Sequence, residues 1–192
     1  MSEDSRFRII SVTGAHSGVG KTTLCSILLK HLDGFGAIKF TKSSVYTSIS
    51  DSTSVIRQEG KDTAIMSESG AEKVVWIKSP GDDLEHALDI AIGKMTGCKG
   101  VIVEGNSPSD YLNPDLVIFI IGSEGEIKPS AEKMLQRADI IVLNGRKSDK
   151  PIKSPFTVNK SQEVFKIELD KKRGEVSGFL SSVEKILYKE LH

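Results

Sequence analysis

The sequence contains few cysteines and lacks any long apolar run. Its two cysteines, Cys25 and Cys98, stand far apart, which excludes a disulfide scaffold and, without neighbouring His or Cys ligands, a tetrahedral zinc site. No apolar run approaches the ~18 residues that span a bilayer, so we expect no membrane segment. Residues 1–8 are polar and mixed in charge, which predicts an unprocessed chain. Together these absences predict a cytoplasmic protein.

The sequence also lacks an excess of charge of either sign. The 26 Lys and Arg residues balance 26 Asp and Glu residues, so the formal net charge is zero. Because coating nucleic acid requires a surplus of basic side chains, we expect no nucleic-acid partner. The balance is uneven along the chain: residues 1–50 carry six basic and three acidic groups, residues 51–126 carry six and fourteen, and residues 127–192 carry fourteen and nine.

The pattern of apolar residues predicts a single α/β domain over residues 1–192, a length that suits one compact core. Short runs rich in Val and Ile predict strands buried on both faces, and amphipathic stretches between them predict helices. The runs are residues 7–12, 74–77, 101–103, 116–121 and 140–143; the helical stretches are residues 24–32, 84–95 and 176–191. This alternation predicts right-handed crossovers and a mainly parallel sheet between two helical layers.

Two stretches interrupt the alternation. Residues 41–63 are rich in Ser and Thr with weak periodicity, which predicts a long loop that is functional or mobile. Residues 147–155 (KSDKPIKSP) are basic and contain proline, which predicts an exposed connection.

The strongest motif is residues 15–22 (AHSGVGKT), which has the spacing of a phosphate loop with Ala15 where Gly is commoner. An apolar strand precedes it and an amphipathic helix follows it, as the phosphate-binding mechanism requires. The alternative is a glycine-rich turn before an ordinary helix, which does not account for the Lys-Thr ending. The motif therefore predicts a three-layer P-loop NTPase fold that binds GTP or ATP with Mg²⁺.

Each residue type in the loop has a physical role. Gly18 and Gly20 are able to adopt positive φ, which turns backbone N–H groups toward phosphate oxygens at the helix N-terminus. We expect Lys21 to act catalytically on the β and γ phosphates and Thr22 to ligate Mg²⁺. The predicted nucleotide-binding residues here are His16, Ser17, Gly18, Val19, Gly20, Lys21, Thr22 and Thr23. For His16, a phosphate or second-substrate contact and a simply solvated ring both stay open.

Two acids are predicted to serve the metal and catalysis. Glu104 ends the apolar run 101–103 and precedes a glycine, as a metal-side carboxylate does; a solvated acid is the alternative. Asp62, in residues 60–63 (GKDT), could close over the nucleotide and sense its γ phosphate, but spacing alone does not decide this. Asp139 precedes its strand and is therefore expected at the edge away from the phosphates.

Asn144 ends the strand run at residues 139–144 (DIIVLN) and is a candidate for pairing with a purine edge. The usual guanine-reading pattern places Lys one residue and Asp three residues after the Asn, and Gly145 and Lys147 stand there instead. Guanine specificity is therefore not indicated, and a turn-forming Asn is the alternative.

Three segments in order and spacing resemble the MobB-type accessory proteins of molybdopterin-guanine dinucleotide biosynthesis: residues 17–24 (SGVGKTTL), 60–63 (GKDT) with 69–71 (SGA), and 103–105 (VEG). The resemblance covers residues 8–122. It implies a GTP-binding, weakly hydrolytic homodimer that assists a molybdenum-cofactor nucleotidyltransferase. By position, Lys21 and Thr22 would hold phosphate and Mg²⁺, with Asp62 and Glu104 as metal or water-positioning acids.

The sequence also departs from that family. Its members commonly have His after the Ile-Lys of the second strand, where this chain has Phe40, and residues 123–192 show no family motif. The loop is similar to dethiobiotin synthetases and to partition ATPases as well, although the latter have a signature Lys where this chain has His16. The alternative function is thus an ATP-dependent synthetase that phosphorylates a small substrate, with Glu104 and residues 41–63 lining its site. A metallochaperone GTPase is disfavoured because no Cys or His cluster is present.

Overall fold

The computed structural model describes residues 6–145 and 158–188. Its strands are β1 (Arg8–Gly14), β2 (Phe35–Lys42), β3 (Ser48–Ser50), β4 (Val74–Ser79), β5 (Gly100–Glu104), β6 (Leu116–Gly122), β7 (Ile140–Asn144), β8 (Glu163–Glu168) and β9 (Arg173–Gly174). Its α-helices are α1 (Lys21–Leu29), α2 (Thr53–Ile56), α3 (Asp62–Glu68), α4 (Leu84–Gly93), α5 (Pro129–Arg137) and α6 (Val176–Leu187). Short 3₁₀ turns occupy Ser107–Asp110 and Leu169–Lys171.

All the strands form one sheet in the order β3-β4-β2-β5-β1-β6-β7-β8-β9. Every pairing is parallel except those of β3 with β4 and β8 with β9 at the two edges. The five predicted strands correspond to β1, β4, β5, β6 and β7, and the three predicted helical stretches to α1, α4 and α6. The predicted mainly parallel α/β sheet is confirmed.

The sheet is covered on both faces, which confirms the three-layer arrangement. Ile10 and Val12 of β1 pack on one face with α1, α3 and α6. Val101 and Val103 of β5 pack on the other face beneath α4, and Phe119 of β6 packs on that face beneath α5. Strands buried on both faces read as continuous apolar runs, which is why these central strands stood out in the sequence.

The prediction of a long loop over residues 41–63 is wrong in part. β2 extends to Lys42, β3 pairs antiparallel with β4, and α2 buries Ile56. Backbone hydrogen bonding forms β3, and its half-buried SIS sequence carries no strong apolar pattern. The predicted connection at residues 147–155 lies outside the described residues.

Parallel pairing brings the ends of three central strands to one edge of the sheet. Glu104, the last residue of β5, is opposite Val12 of β1 on one side and Lys39 of β2 on the other. Asp139 lies at the opposite edge, as predicted, where its carboxylate accepts a hydrogen bond from the Val117 N–H at 2.8 Å. Within the described part of the chain, every helix is too short or too polar to cross a membrane.

Truncation of Phe119 tests the central core. Its side chain is fully buried between β6 and α5, so Phe119→Ala should lower the free energy of unfolding by about 3 to 5 kcal/mol. Urea denaturation followed by circular dichroism measures the loss. The control is Val45→Ala, since Val45 is 77% exposed, and its effect should stay within about 0.5 kcal/mol. Equal effects of the two substitutions would contradict this placement of the core.

Candidate functional site

The loop of residues 15–20 links β1 directly to α1 and has the backbone that its glycines allow. Gly18 and Gly20 have φ values of 77° and 105°, in the left-handed region that only glycine enters freely. A Cβ added at Gly20 would also lie 2.7 Å from Leu169 Cδ1. Position 20 therefore requires glycine for its backbone angle and for its packing.

Lys21 is folded back onto this loop. Its ammonium donates a hydrogen bond to the His16 carbonyl at 2.9 Å. Burial lowers the pKa of Lys21; the Glu104 carboxylate opposes that shift, and the charge of Lys39 adds to it. The ammonium group of Lys21 thus lies inside the curve of the loop, where an anion could replace the His16 carbonyl as its partner.

Thr22 and Glu104 meet at the start of α1. The Thr22 hydroxyl donates to Glu104 Oε2 at 2.9 Å, and the Glu104 side chain is only 2% exposed. A carboxylate so deeply buried requires hydrogen-bonded and charged partners to remain stable there.

Lys39 supplies the compensating charge. Its ammonium contacts Glu104 Oε1 and forms an ion pair with Asp62 Oδ2 at 2.7 Å, so it bridges the two acids. Burial opposes the charge on Lys39, but the carboxylates of Glu104 and Asp62 outweigh burial and raise its pKa. Both acids were predicted from the sequence, whereas the role of Lys39 was not.

Asp62 reaches this cluster from a different element. It is the first residue of α3, where the positive end of the helix dipole favours a carboxylate. Its side chain is about half exposed, and it lines the same cavity as Lys21 and Glu104. The structure thus brings together the three residues that were predicted to be catalytic.

The remaining loop residues differ in exposure. Ser17 and Gly18 are exposed, whereas the side chain of Val19 is buried in the core, so Val19 offers only its backbone to the loop cavity. His16 Nδ1 lies 2.7 Å from the Ser17 carbonyl oxygen. Thr23 is half-buried on the first turn of α1. Their contacts with a nucleotide stay predictions.

Asn144 anchors the outer side of the loop. Its side-chain amide donates to the Val19 carbonyl and accepts from the Leu169 N–H, both at 3.1 Å. The amide therefore joins the loop to the end of β7 and to the turn after β8. Contact of Asn144 with a purine edge stays a prediction.

Asn106 was missed by the sequence analysis. Its side-chain oxygen accepts from the Gly14 N–H, and its side-chain nitrogen donates to the Gly14 carbonyl, both at 2.9 Å. This pair of bonds clamps the end of β1 where the loop begins. The available signal was its place two residues after Glu104, beyond the carboxyl end of β5.

Several of these residues line an open cavity of about 390 Å³. Its walls come from the loop, from the end of β2 and from the beginning of α5, and Lys21, Lys39, Asp62 and Glu104 line it. The cavity lies at the carboxyl edge of the parallel strands, where open α/β sheets bind ligands.

Removal of the bridging lysine tests this charge cluster. Lys39→Met leaves the buried Glu104 carboxylate without its cationic partner, so it should lower the free energy of unfolding by about 3 kcal/mol. Urea denaturation measures the loss, and the added Glu104→Gln substitution should restore part of it. Lys133→Met is the control, because the Lys133–Asp110 pair is exposed and should contribute less than about 1 kcal/mol. Additive effects of Lys39→Met and Glu104→Gln would contradict the coupling.

No protein-family model and no curated protein sequence matches the chain. Solved structures do resemble it. HypB from Helicobacter pylori in complex with nickel is 16% identical, with a TM-score of 0.55 over 96% of this chain and 88% of that one. A plasmid partition protein from Borrelia burgdorferi is 13% identical, with a TM-score of 0.55 over 94% of this chain and 100% of that one.

A third similar structure is longer than this chain. LpxK from Aquifex aeolicus in complex with ATP is 18% identical, with a TM-score of 0.52 over 83% of this chain. The match spans 53% of LpxK, about half its length. At these identities the likeness concerns the fold alone. With its nine-stranded, mostly parallel sheet and its loop between β1 and α1, the chain has the fold of the P-loop NTPases.

Proposed function

We propose that the chain binds the phosphates of GTP or ATP, together with Mg²⁺, on the loop between β1 and α1, and hydrolyses the nucleotide slowly. The observation that carries the proposal is the meeting of Lys21, Thr22 and Glu104 at one end of this loop. Backbone N–H groups of a loop with left-handed glycines, next to a helix N-terminus, form a cradle for phosphate oxygens. A lysine and a hydroxyl beside that cradle complete the phosphate-binding set.

The residues present fit Mg²⁺. Thr22, Glu104 and Asp62 offer hydroxyl and carboxylate oxygens, the ligands that this ion prefers, and Mg²⁺ keeps several waters rather than a full protein cage. The described residues contain no group of three or more His, Cys, Asp and Glu side chains that could hold a metal. When bound with the nucleotide, Mg²⁺ would neutralise charge on the β and γ phosphates.

Lys21 and Asp62 have separate roles in the proposed reaction. Lys21 exchanges the His16 carbonyl for the nucleotide phosphates and places its charge where negative charge grows during transfer. Asp62, half exposed at the start of α3, would accept a hydrogen bond from the attacking water. No arginine lines the cavity in the described part of the chain. We therefore expect turnover like that of unassisted GTPases, which lack a stabilising arginine finger.

The finer proposal is a MobB-type accessory role in molybdenum-cofactor biosynthesis, as a homodimer that assists a nucleotidyltransferase. It is supported by the resemblance of residues 17–24, 60–63 and 103–105 to that family. The fold adds support, because residues from 17–24, 60–63 and 103–105 line one cavity, whereas residues 69–71 of the same resemblance do not line it. The support comes from the combination of these motifs, because each motif alone also occurs in other P-loop proteins.

The second candidate is an ATP-dependent synthetase of the dethiobiotin type. The cavity favours it, because about 390 Å³ of open space lies beside the loop and Lys39, far more than an attacking water needs. In that function an oxygen of a small substrate, instead of water, attacks the γ phosphorus, and the nucleoside diphosphate leaves with the bridging oxygen and its electron pair.

Substitution of the loop lysine tests nucleotide binding. Lys21→Ala should abolish binding that calorimetry can measure, because hydrogen bonds from a charged donor contribute about 1.5 to 3 kcal/mol each. Its urea denaturation curve should show an intact fold. Lys185→Ala on α6 is the control, since it removes an exposed lysine and should leave nucleotide affinity unchanged. Unchanged affinity in Lys21→Ala would overturn the site.

A nucleotide panel separates the two candidate functions. At 100 times Kd a nucleotide should stabilise the fold by about 2.7 kcal/mol, which raises Tm by roughly 5 to 10 °C. For the accessory role, GTP with Mg²⁺ should raise Tm at least as much as ATP with Mg²⁺ does. Hydrolysis should then proceed at ~10⁻⁴ to 10⁻² per second. Rapid ATP turnover that depends on an added small amine would instead identify the synthetase.

A further inference from the structure

The cavity beside the phosphate loop is lined by two lysines that the proposed nucleotide site does not use. Lys42 ends β2, and Lys128 immediately precedes α5. The backbone N–H of Lys128 donates to the Ala15 carbonyl at 3.2 Å, which ties this residue to the start of the loop. Both side chains therefore stand on the rim of the cavity, on elements fixed to the loop and to the sheet.

The two rim lysines differ from the two lysines deeper in the cavity. Lys21 is bonded to the His16 carbonyl, and Lys39 is paired with Glu104 and Asp62. Among the described residues, the ammonium groups of Lys42 and Lys128 have no hydrogen-bonded or ionic partner. The Asp62 and Glu104 carboxylates in the same cavity are paired with Lys39, so the charges of Lys42 and Lys128 add a positive potential that draws in an anion.

A second cavity of about 160 Å³ shares Lys39, Thr41 and Asp62 with the first and ends at Trp76. Trp76 is paired with Lys39 across β2 and β4, and its indole N–H donates to the Thr41 hydroxyl at 3.0 Å. The two cavities therefore adjoin at these shared residues, and together they are called the cleft, with the phosphate loop at one end and Trp76 at the other.

We propose that this cleft binds a second, small anionic ligand that carries phosphate or carboxylate groups, and that Lys42 and Lys128 hold those groups. The proposal rests on the proposed function, since it places the ligand beside the phosphates of the bound nucleotide. The first cavity alone, at about 390 Å³, is in the size range of small-molecule sites. The four lysines that line it favour an anionic metabolite over an apolar one.

Trp76 provides the measurement, because it is the single tryptophan of the chain and lines the far end of the cleft. The protein is first saturated with Mg²⁺ and GDP, so that the phosphate loop is filled. Pyrophosphate and citrate are then titrated separately while tryptophan fluorescence is recorded. We expect at least one of them to give a saturable change, and the responding probe shows whether phosphate or carboxylate groups are preferred.

The variants locate the site. Lys42→Gln combined with Lys128→Gln should weaken the responding probe at least tenfold, whereas Lys185→Gln should not change its Kd. Lys42 and Lys128 are exposed, so the double variant should keep the wild-type denaturation curve. The absence of a saturable change with either probe, or equal Kd values in the double variant and the wild type, would overturn the proposal.

Nucleotide binding is followed separately by the thermal shift with GDP. A double variant that retains the GDP shift and loses the probe supports the anion site beside a working nucleotide site. If GDP does not raise the Tm of the wild type, that result contradicts the proposed nucleotide binding independently of the probe titrations. The probe titrations are then repeated in the Lys21→Ala background, where the same comparison of Kd values decides the role of Lys42 and Lys128.

Discussion

The candidate site depends on the position of β5 between β1 and β2. This parallel pairing sets Glu104 opposite Val12 on one neighbour and opposite Lys39 on the other. Because parallel strands end at the same edge, the carboxylate meets Thr22 at the end of the phosphate loop and the lysine of β2 without any long connecting segment. A shift of one residue in either pairing would turn these side chains to opposite faces of the sheet.

The same register explains the charge arrangement. Glu104 is buried, and burial of a carboxylate is costly unless a cation and hydrogen-bond donors accompany it. Lys39 is the cation beside Glu104, and the Thr22 hydroxyl is a hydrogen-bond donor to it. Asp62 forms a second ion pair with Lys39. The cluster therefore keeps two carboxylates and a hydroxyl close together beside the loop, and these are the oxygen ligands that the proposed Mg²⁺ site would use.

Much of the fold was predictable from local patterns. Central strands are covered on both faces, so β1, β5, β6 and β7 appear as short Val- and Ile-rich runs. By contrast, β3 and β8 lie near the sheet edges and are half-exposed, so their sequences carry weak apolar signals. β3 exists because β4 offers a free row of backbone donors and acceptors, which no pattern within residues 41–63 indicates.

The phosphate loop and the helix that follows it were predictable from local sequence, because adjacent residues create that geometry and Gly18 and Gly20 permit its backbone angles. The sequence also singled out Asp62 and Glu104 through their motifs. Tertiary structure alone decided that Lys39 bridges those acids and that Asn106 clamps Gly14. Strand order in the sheet differs from strand order in the chain, so these contacts join residues that are 23 to 92 positions apart, beyond the reach of local spacing.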